Sequence, residues 1–217
     1  MIKNKNNKFI CLVGIDGSGK TTQSILLCNR FNSIGKKSIY IRPRYEILKY
    51  FPLLLKNIFL RFLSIRNSLV KESTNHHSEK YSIKKILFYY ILLLYVKITY
   101  NLFIRTYLKK HMVISDRYFF DWFQNIDKVK NEQLMSKIPM PDYCIFLDID
   151  PNDAKKRMSS EEDKNIDIEY FTNLRNYYLY LSKKHGFIKI NSNGITETND
   201  FIFNCVNRYI SCDNHDK

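Results

Sequence analysis

Gly14-Ile15-Asp16-Gly17-Ser18-Gly19-Lys20-Thr21 is the stretch whose reading decides the fold of this chain. It meets every required position of the phosphate-binding pattern G-x-x-x-x-G-K-[ST]. Residues 9–13 ahead of it form a short apolar run of buried-strand type. Residues 22–34 behind it read as a helix, with Leu27, Cys28, Phe31 and Ile34 on one apolar stripe and Gly35 as the stop. Strand, glycine-rich turn and helix are the context in which the pattern has a mechanism. Gly14, Gly17 and Gly19 let backbone N–H groups approach a phosphate chain, and the helix directs its positive end at the same place. Lys20 adds a point charge for the outer phosphates, and the Thr21 hydroxyl is placed to ligate Mg²⁺.

The chain of 217 residues suits one domain with a substantial core. Its five cysteines, Cys11, Cys28, Cys144, Cys205 and Cys212, are odd in number and show no paired spacing, which points to reduced thiols and a cytoplasmic setting. Residues 1–8 are basic and Asn-rich and read as a flexible tail, not a signal peptide. The net charge of +14 raises nucleic acid, anionic membranes and phosphorylated small substrates as partner classes. No zinc-ligand spacing or base-stacking signature accompanies it, so nucleic acid is set aside. Much of the excess lies between Lys49 and Lys110, where Glu72 and Glu79 are the only acids.

Along the chain, short apolar runs alternate with helical patterns. Strands are expected over residues 37–42, 109–115, 143–149 and 187–190, besides the first at 9–13. Residues 119–137 are expected to be mainly helical. Asp150-Pro151 should open a further helix, Asp167 should cap the one running to His185, and residues 198–210 should form the last. Residues 45–69 read as helical with a break near Pro52, and residues 70–82, with His76 and His77, as a polar surface loop. Residues 83–108 read as a helix buried on most sides. A basic amphipathic hairpin touching a membrane surface is the alternative, since the apolar run is too short to span a bilayer. Alternating strands and helices imply a parallel sheet covered on both faces, hence a three-layer α/β/α P-loop NTPase fold with a five-stranded parallel sheet. Ligands then bind at the carboxyl ends of the strands, where Gly14, Arg42, Asp116 and Asp148 fall.

Taken in order, these motifs resemble the thymidylate kinase family of P-loop nucleoside-monophosphate kinases. The loop with Asp16 inside it and Thr21-Thr22-Gln23 behind it is similar to the family's. Arg42 stands where the family's second strand delivers an arginine, and Asp116-Arg117-Tyr118 resembles its Asp-Arg-Tyr motif. Pro141-Asp142 through Asp148, Pro151, Ala154 and Arg157 resembles the segment leading into its lid, and Arg175 with Tyr178 the helix after it. The resemblance implies phosphoryl transfer from ATP to dTMP, with Mg²⁺ as cofactor and nucleotides as substrates. Gly14, Ile15, Asp16, Gly17, Ser18, Gly19, Lys20, Thr21, Thr22 and Arg157 would then hold ATP. Thr21 and Asp116 would hold the metal, and Arg42, Arg117 and Asp121 would meet the acceptor. Lys20, Asp116, Arg117 and Asp16 form the implied catalytic set. The chain is divided as one kinase domain with an acceptor-side helical region at 45–108 and a lid at 157–166. Peripheral membrane contact through 45–108 and a homodimer are left open.

Each residue also has a plainer reading: Asp116 as a helix cap, Arg117 paired with a carboxylate, Arg42 as a solvated strand end, Asp148 as a turn cap in place of a water-mediated metal ligand. Three positions depart from the family pattern. Val13 replaces a glutamate, Asp121 stands in the place of a serine, and Gly17 stands where some members carry an arginine. The lid, Ser159-Ser160-Glu161-Glu162-Asp163-Lys164-Asn165, is more acidic than basic. An added carboxylate near an acceptor phosphate is unfavourable unless it meets a hydroxyl, an amine or a metal. A non-nucleotide phosphate acceptor, or a membrane-associated nucleotide-binding module with little turnover, are accordingly the competing functions.

Overall fold

Every residue of β1 (Phe9–Val13) is buried, so the sheet that contains it must be covered on both faces. The computed structural model describes residues 7–43, 83–124, 128–158 and 166–212. Its remaining strands are β2 (Ser38–Ile41), β3 (Met112–Asp116), β4 (Tyr143–Asp148) and β5 (Ile188–Asn191). The principal described helices are α1 (Lys20–Ser33), α2 (Ile83–Thr99), α3 (Lys128–Met135), α4 (Pro151–Lys156), α5 (Ile168–His185) and α6 (Ile195–Cys212). The strands form one parallel sheet in the order β2-β3-β1-β4-β5, with Phe9 opposite Val113 and Cys11 opposite Cys144.

The two-residue period of β1 separates two cores. Ile10 and Leu12 pack with Leu27 and Phe31 of α1 and with Ile202 and Val206 of α6. Phe9, Cys11 and Val13 point the other way, into a cluster with Leu92 and Val96 of α2 and Phe171 and Leu174 of α5. This is the expected three-layer α/β/α sandwich around a five-stranded parallel sheet. The chain leaves β1 toward β2 and β3 on one side and reaches β4 and β5 on the other, so a crevice opens at the carboxyl end of β1.

Local signals place most element ends. Asp150 caps α4 by accepting from Asn152 N at 2.9 Å, with Pro151 at the first helical position. Asp167 caps α5 through Glu169 N at 3.0 Å, and Gly186 closes that helix at φ 67°. Two expectations need correction. β3 begins at Met112, not at Lys109, because Lys110 N and His111 N are still bonded to Tyr107 O at the end of the preceding turn. Residues 119–137 are mainly helical, as expected, but in two pieces, a 3₁₀ turn (Phe120–Phe123) and α3. Tyr118, Phe119, Phe120, Trp122 and Phe123 are all buried, and a regular amphipathic helix buries only one stripe. The helix over 83–108 is amphipathic from Tyr89 onward, not buried on most sides there. It is α-helical to Thr99, then a π turn (Tyr100–Ile104) where the Thr99 hydroxyl back-bonds to Tyr95 O. It buries Leu92, Leu93, Tyr95 and Val96 but leaves Tyr90, Ile91, Leu94, Ile98 and Leu102 exposed.

Residues 45–82, with the histidine pair, and the lid residues 159–165 lie outside the described residues.

Candidate active site

The glycines of the loop are required by contact as well as by turn geometry. A Cβ at Gly14 would lie 2.6 Å from Leu147 O, and one at Gly17 only 2.3 Å from Ala154 O, at φ +80°. The loop therefore passes flush against β4 and α4. At position 17 there is no room for the arginine that some family members carry. Gly19, in the left-handed region, precedes α1 without offering a side-chain cap. The first-turn N–H groups of α1 are thus left to an external acceptor, the arrangement that binds anions.

Lys20 is 4% exposed. Its Nζ donates to Ile15 O at 2.5 Å and sits 3.5 Å from Asp16. Burial, and then the positive charge of Arg117, lower the Lys20 ammonium to about 8, against the opposing pull of Asp16 and Asp116. Asp16 is also ion-paired with the Arg117 guanidinium. Arg117 has a positive φ of 69°, held by its own N–H on Leu12 O and by the Ser115 hydroxyl on its carbonyl.

Asp116, 2% exposed at the end of β3, is the centre of a second cluster. Its Oδ2 accepts from Thr21 Oγ1 at 2.6 Å, Arg42 Nε at 3.0 Å and the Tyr40 hydroxyl at 3.1 Å. Arg42 Nη2 donates to Thr21 Oγ1 at 3.1 Å. Burial, followed by the Asp116 charge, raises the Tyr40 phenol, which keeps it a hydrogen-bond donor at neutral pH. Asp116 Oδ1 is buried without a hydrogen-bond partner. A carboxylate oxygen with a vacant lone pair beside the Thr21 hydroxyl fits a hard cation. Among the described residues no group of three or more His, Cys, Asp or Glu could hold a metal ion. A cation here would complete its shell from water and phosphate oxygens, the habit of Mg²⁺.

A cleft of about 730 Å³ lies between the loop, Arg117, Arg157 and the turn Ser192–Ile195. Arg157 rests on that turn, with Nη1 3.3 Å from Ser192 Oγ, and Ser192 Oγ donates to Ser18 O at 3.0 Å. Of the residues singled out in the sequence, Asp16, Gly17, Gly19, Lys20, Thr21, Thr22, Arg117 and Arg157 line this one cleft. Arg42 joins it through Thr21 and Asp116. Gly14, Ile15 and Ser18 are buried in the wall behind it. Asp121 sits on the 3₁₀ turn and is not among the lining residues. The sequence reading passed over Tyr40 and the Ser192–Gly194 turn. The polar run Asn191-Ser192-Asn193-Gly194 directly after the last strand was the available signal, because ligands gather at that end of a parallel sheet.

Asp148 is engaged in an ion pair that neither of its two expected roles includes. It accepts from Arg175 Nε at 2.6 Å and Nη2 at 3.1 Å, with Lys189 Nζ 3.5 Å away, and so ties α5 to β4. Burial alone would raise its carboxyl, but Arg175, then Lys189, outweigh it and hold it below the usual aspartate range. A carboxyl whose folded value is depressed contributes stability above its unfolded value and loses it as pH falls through the folded value. Asp148→Asn is therefore expected to lower stability at pH 7 by about 2 kcal/mol. The difference from wild type should shrink below about pH 4, as thermal unfolding across pH would show.

The thymidylate kinase family model matches residues 64–202, more than half of the chain. The probable thymidylate kinase of Methanococcus maripaludis (strain C7) is 29% identical, over 92% of this chain and 95% of its own length. That of Pyrococcus horikoshii is 30% identical, over 81% of this chain and 82% of its own. The thymidylate kinase of Buchnera aphidicola is 32% identical, over 86% of this chain and 87% of its own. With a phosphate loop on a five-stranded parallel sheet and an Asp-Arg pair ending the strand beside it, this chain belongs to the thymidylate kinase family.

Proposed function

We propose that this protein transfers the terminal phosphoryl group of ATP to dTMP, giving dTDP and ADP, with Mg²⁺ as cofactor. The observation that carries the proposal is the convergence of Thr21, Arg42 and Asp116 beside Lys20, on the carboxyl side of the sheet. Lys20, Thr22, Arg157 and the backbone of residues 14–19 hold the donor phosphates. Thr21 and Asp116 hold the metal, which when bound neutralises charge between the donor's outer phosphates. Arg42 and Arg117 clamp the acceptor phosphate, Asp16 orients Arg117, and Asp121 belongs to the acceptor side. The acceptor phosphate is already a nucleophilic oxyanion, so positioning and charge neutralisation suffice and no strong general base is needed.

The chain is proposed as one kinase domain, with residues 45–108 on the acceptor side and 157–166 as lid. A cytoplasmic setting is supported by five free cysteines, Cys11, Cys28, Cys144, Cys205 and Cys212. No helix among the described residues is long and apolar enough to cross a membrane. Contact through 45–108 with a membrane surface or a second copy would fall on the Tyr90–Leu102 stripe, and liposome flotation and sedimentation velocity test the two separately. A non-nucleotide acceptor and a module without turnover have no described feature in their favour.

The test is a panel of nucleoside monophosphates with Mg-ATP. dTMP should give the highest kcat/KM, and Arg42→Ala should raise KM for dTMP at least about tenfold while leaving KM for ATP nearly unchanged. No phosphorylated product from any nucleotide would overturn the proposal.

A further inference from the structure

Three hydroxyl and guanidinium donors meet on one oxygen of Asp116 and leave the other vacant. Two of them have a second duty in the function proposed above. The Thr21 hydroxyl is wanted by the metal, and the Arg42 guanidinium by the acceptor phosphate. Tyr40 has no such duty. Its ring stands two residues before Arg42, and the strand period puts both side chains on the same face. Its hydroxyl donates to Asp116 Oδ2 at 3.1 Å and accepts from Arg42 Nε at 2.7 Å. Among the described contacts it is the one donor that can keep Oδ2 satisfied when the other two are engaged elsewhere.

A carboxylate turns readily about its last torsion, and its two oxygens are chemically equal. What distinguishes them here is the donor set. If Oδ2 loses its partners while the cation and acceptor are bound, nothing else among the described contacts keeps Oδ1 turned to the metal. Arg42 is itself nearly half exposed, with a side chain of 47% relative exposure, so it needs a docking point to be pre-positioned.

We propose that Tyr40 is a positioning residue of this kinase: its hydroxyl holds Asp116 so that Oδ1 faces the metal, and docks Arg42 beside Thr21 within reach of the acceptor phosphate. The proposal rests on the reading of Asp116 as a metal ligand.

Tyr40→Phe keeps the ring and removes only the hydroxyl. ADP affinity measured by calorimetry, with Mg²⁺ and with EDTA, gives the metal-dependent increment of binding without reference to turnover. Tyr40→Phe should reduce that increment about tenfold and leave the affinity in EDTA unchanged. KM for dTMP should rise severalfold, with the thermal midpoint close to wild type. A merely structural role would lower the midpoint and weaken binding equally in both buffers, and that result overturns the proposal. Asp116→Asn is measured alongside. If it abolishes the increment while Tyr40→Phe keeps it in full, the positioning role is overturned and the metal site stands. If both variants keep it, the reading of the metal site fails and takes the proposal with it.

Discussion

Lys20→Met is expected to lower kcat/KM for ATP about a thousandfold while making the protein more stable at pH 7. The first effect follows from charge. Lys20 would be the fixed positive group of the loop nearest the donor's outer phosphates, and removing one pre-positioned donor from such a site costs about 4 kcal/mol of transition-state stabilisation. The second follows from burial. The side chain is 4% exposed, and its ammonium is lowered from 10.5 to about 8. A base whose folded value is depressed binds fewer protons folded than unfolded between those two values, so stability rises with pH across that window. Below it the charged lysine costs about 3 kcal/mol relative to the unfolded chain. Methionine fills nearly the same volume and carries no such cost. Thermal unfolding at pH 7 and pH 10 checks this. The gap between variant and wild type should be wide at pH 7 and close toward pH 10. A variant that keeps wild-type turnover, or is less stable at pH 7, contradicts the placement of Lys20.

Gly17→Ala should lower kcat about a hundredfold and also destabilise the fold. An added Cβ would meet Ala154 O at 2.3 Å and Ala154 C at 2.9 Å. α4 cannot easily yield, because Ala154 N is bonded to Asp150 O and Asp150 caps the helix. The loop must therefore move, by about 1 Å, and a displacement of that size in a phosphate cradle is enough for the loss in rate. The left-handed backbone, φ +80°, adds about 1–2 kcal/mol of strain for any side chain. Gly17→Arg should do no better, since its Cβ meets the same carbonyl before the guanidinium can help. Steady-state kinetics and thermal unfolding read both effects. Higher activity in Gly17→Arg than in Gly17→Ala would show that the loop can after all supply an arginine. With position 17 closed, Arg157, which lines the cleft, is the described arginine left on the donor side.

The parts of the site legible in the sequence are those whose chemistry is local. The loop announces itself because glycines, lysine and threonine must sit at fixed spacing between a strand and a helix. Asp116 and Arg117 follow because a strand ends there, and the ends of parallel strands converge. The caps at Asp150 and Asp167 and the stop at Gly186 are short-range hydrogen-bond and backbone events, and all three fell where the sequence put them. The ion pair of Asp148 was not legible, for the opposite reason. Its partner Arg175 lies 27 residues later, on a helix that packs under β4, and nothing in the local sequence distinguishes a metal-side carboxylate from one committed to an ion pair. The 3₁₀ turn at Phe120–Phe123 was hidden because burial of consecutive aromatics depends on what covers them.

By itself, then, the sequence determined that this protein carries the phosphate-loop pattern at Gly14–Thr21, folds as a parallel sheet between two helical layers, and presents Arg42, Asp116 and Arg117 at the carboxyl end of that sheet. These follow from backbone periodicity and residue chemistry over short spans. Only the tertiary structure decided which of those charged groups face each other. Asp116 gathers Thr21, Tyr40 and Arg42 on one oxygen, Asp148 pairs with Arg175, and Gly17 is sealed by Ala154. Such pairings depend on the strand order β2-β3-β1-β4-β5 and on ångström-scale packing, which bring together residues far apart in the chain.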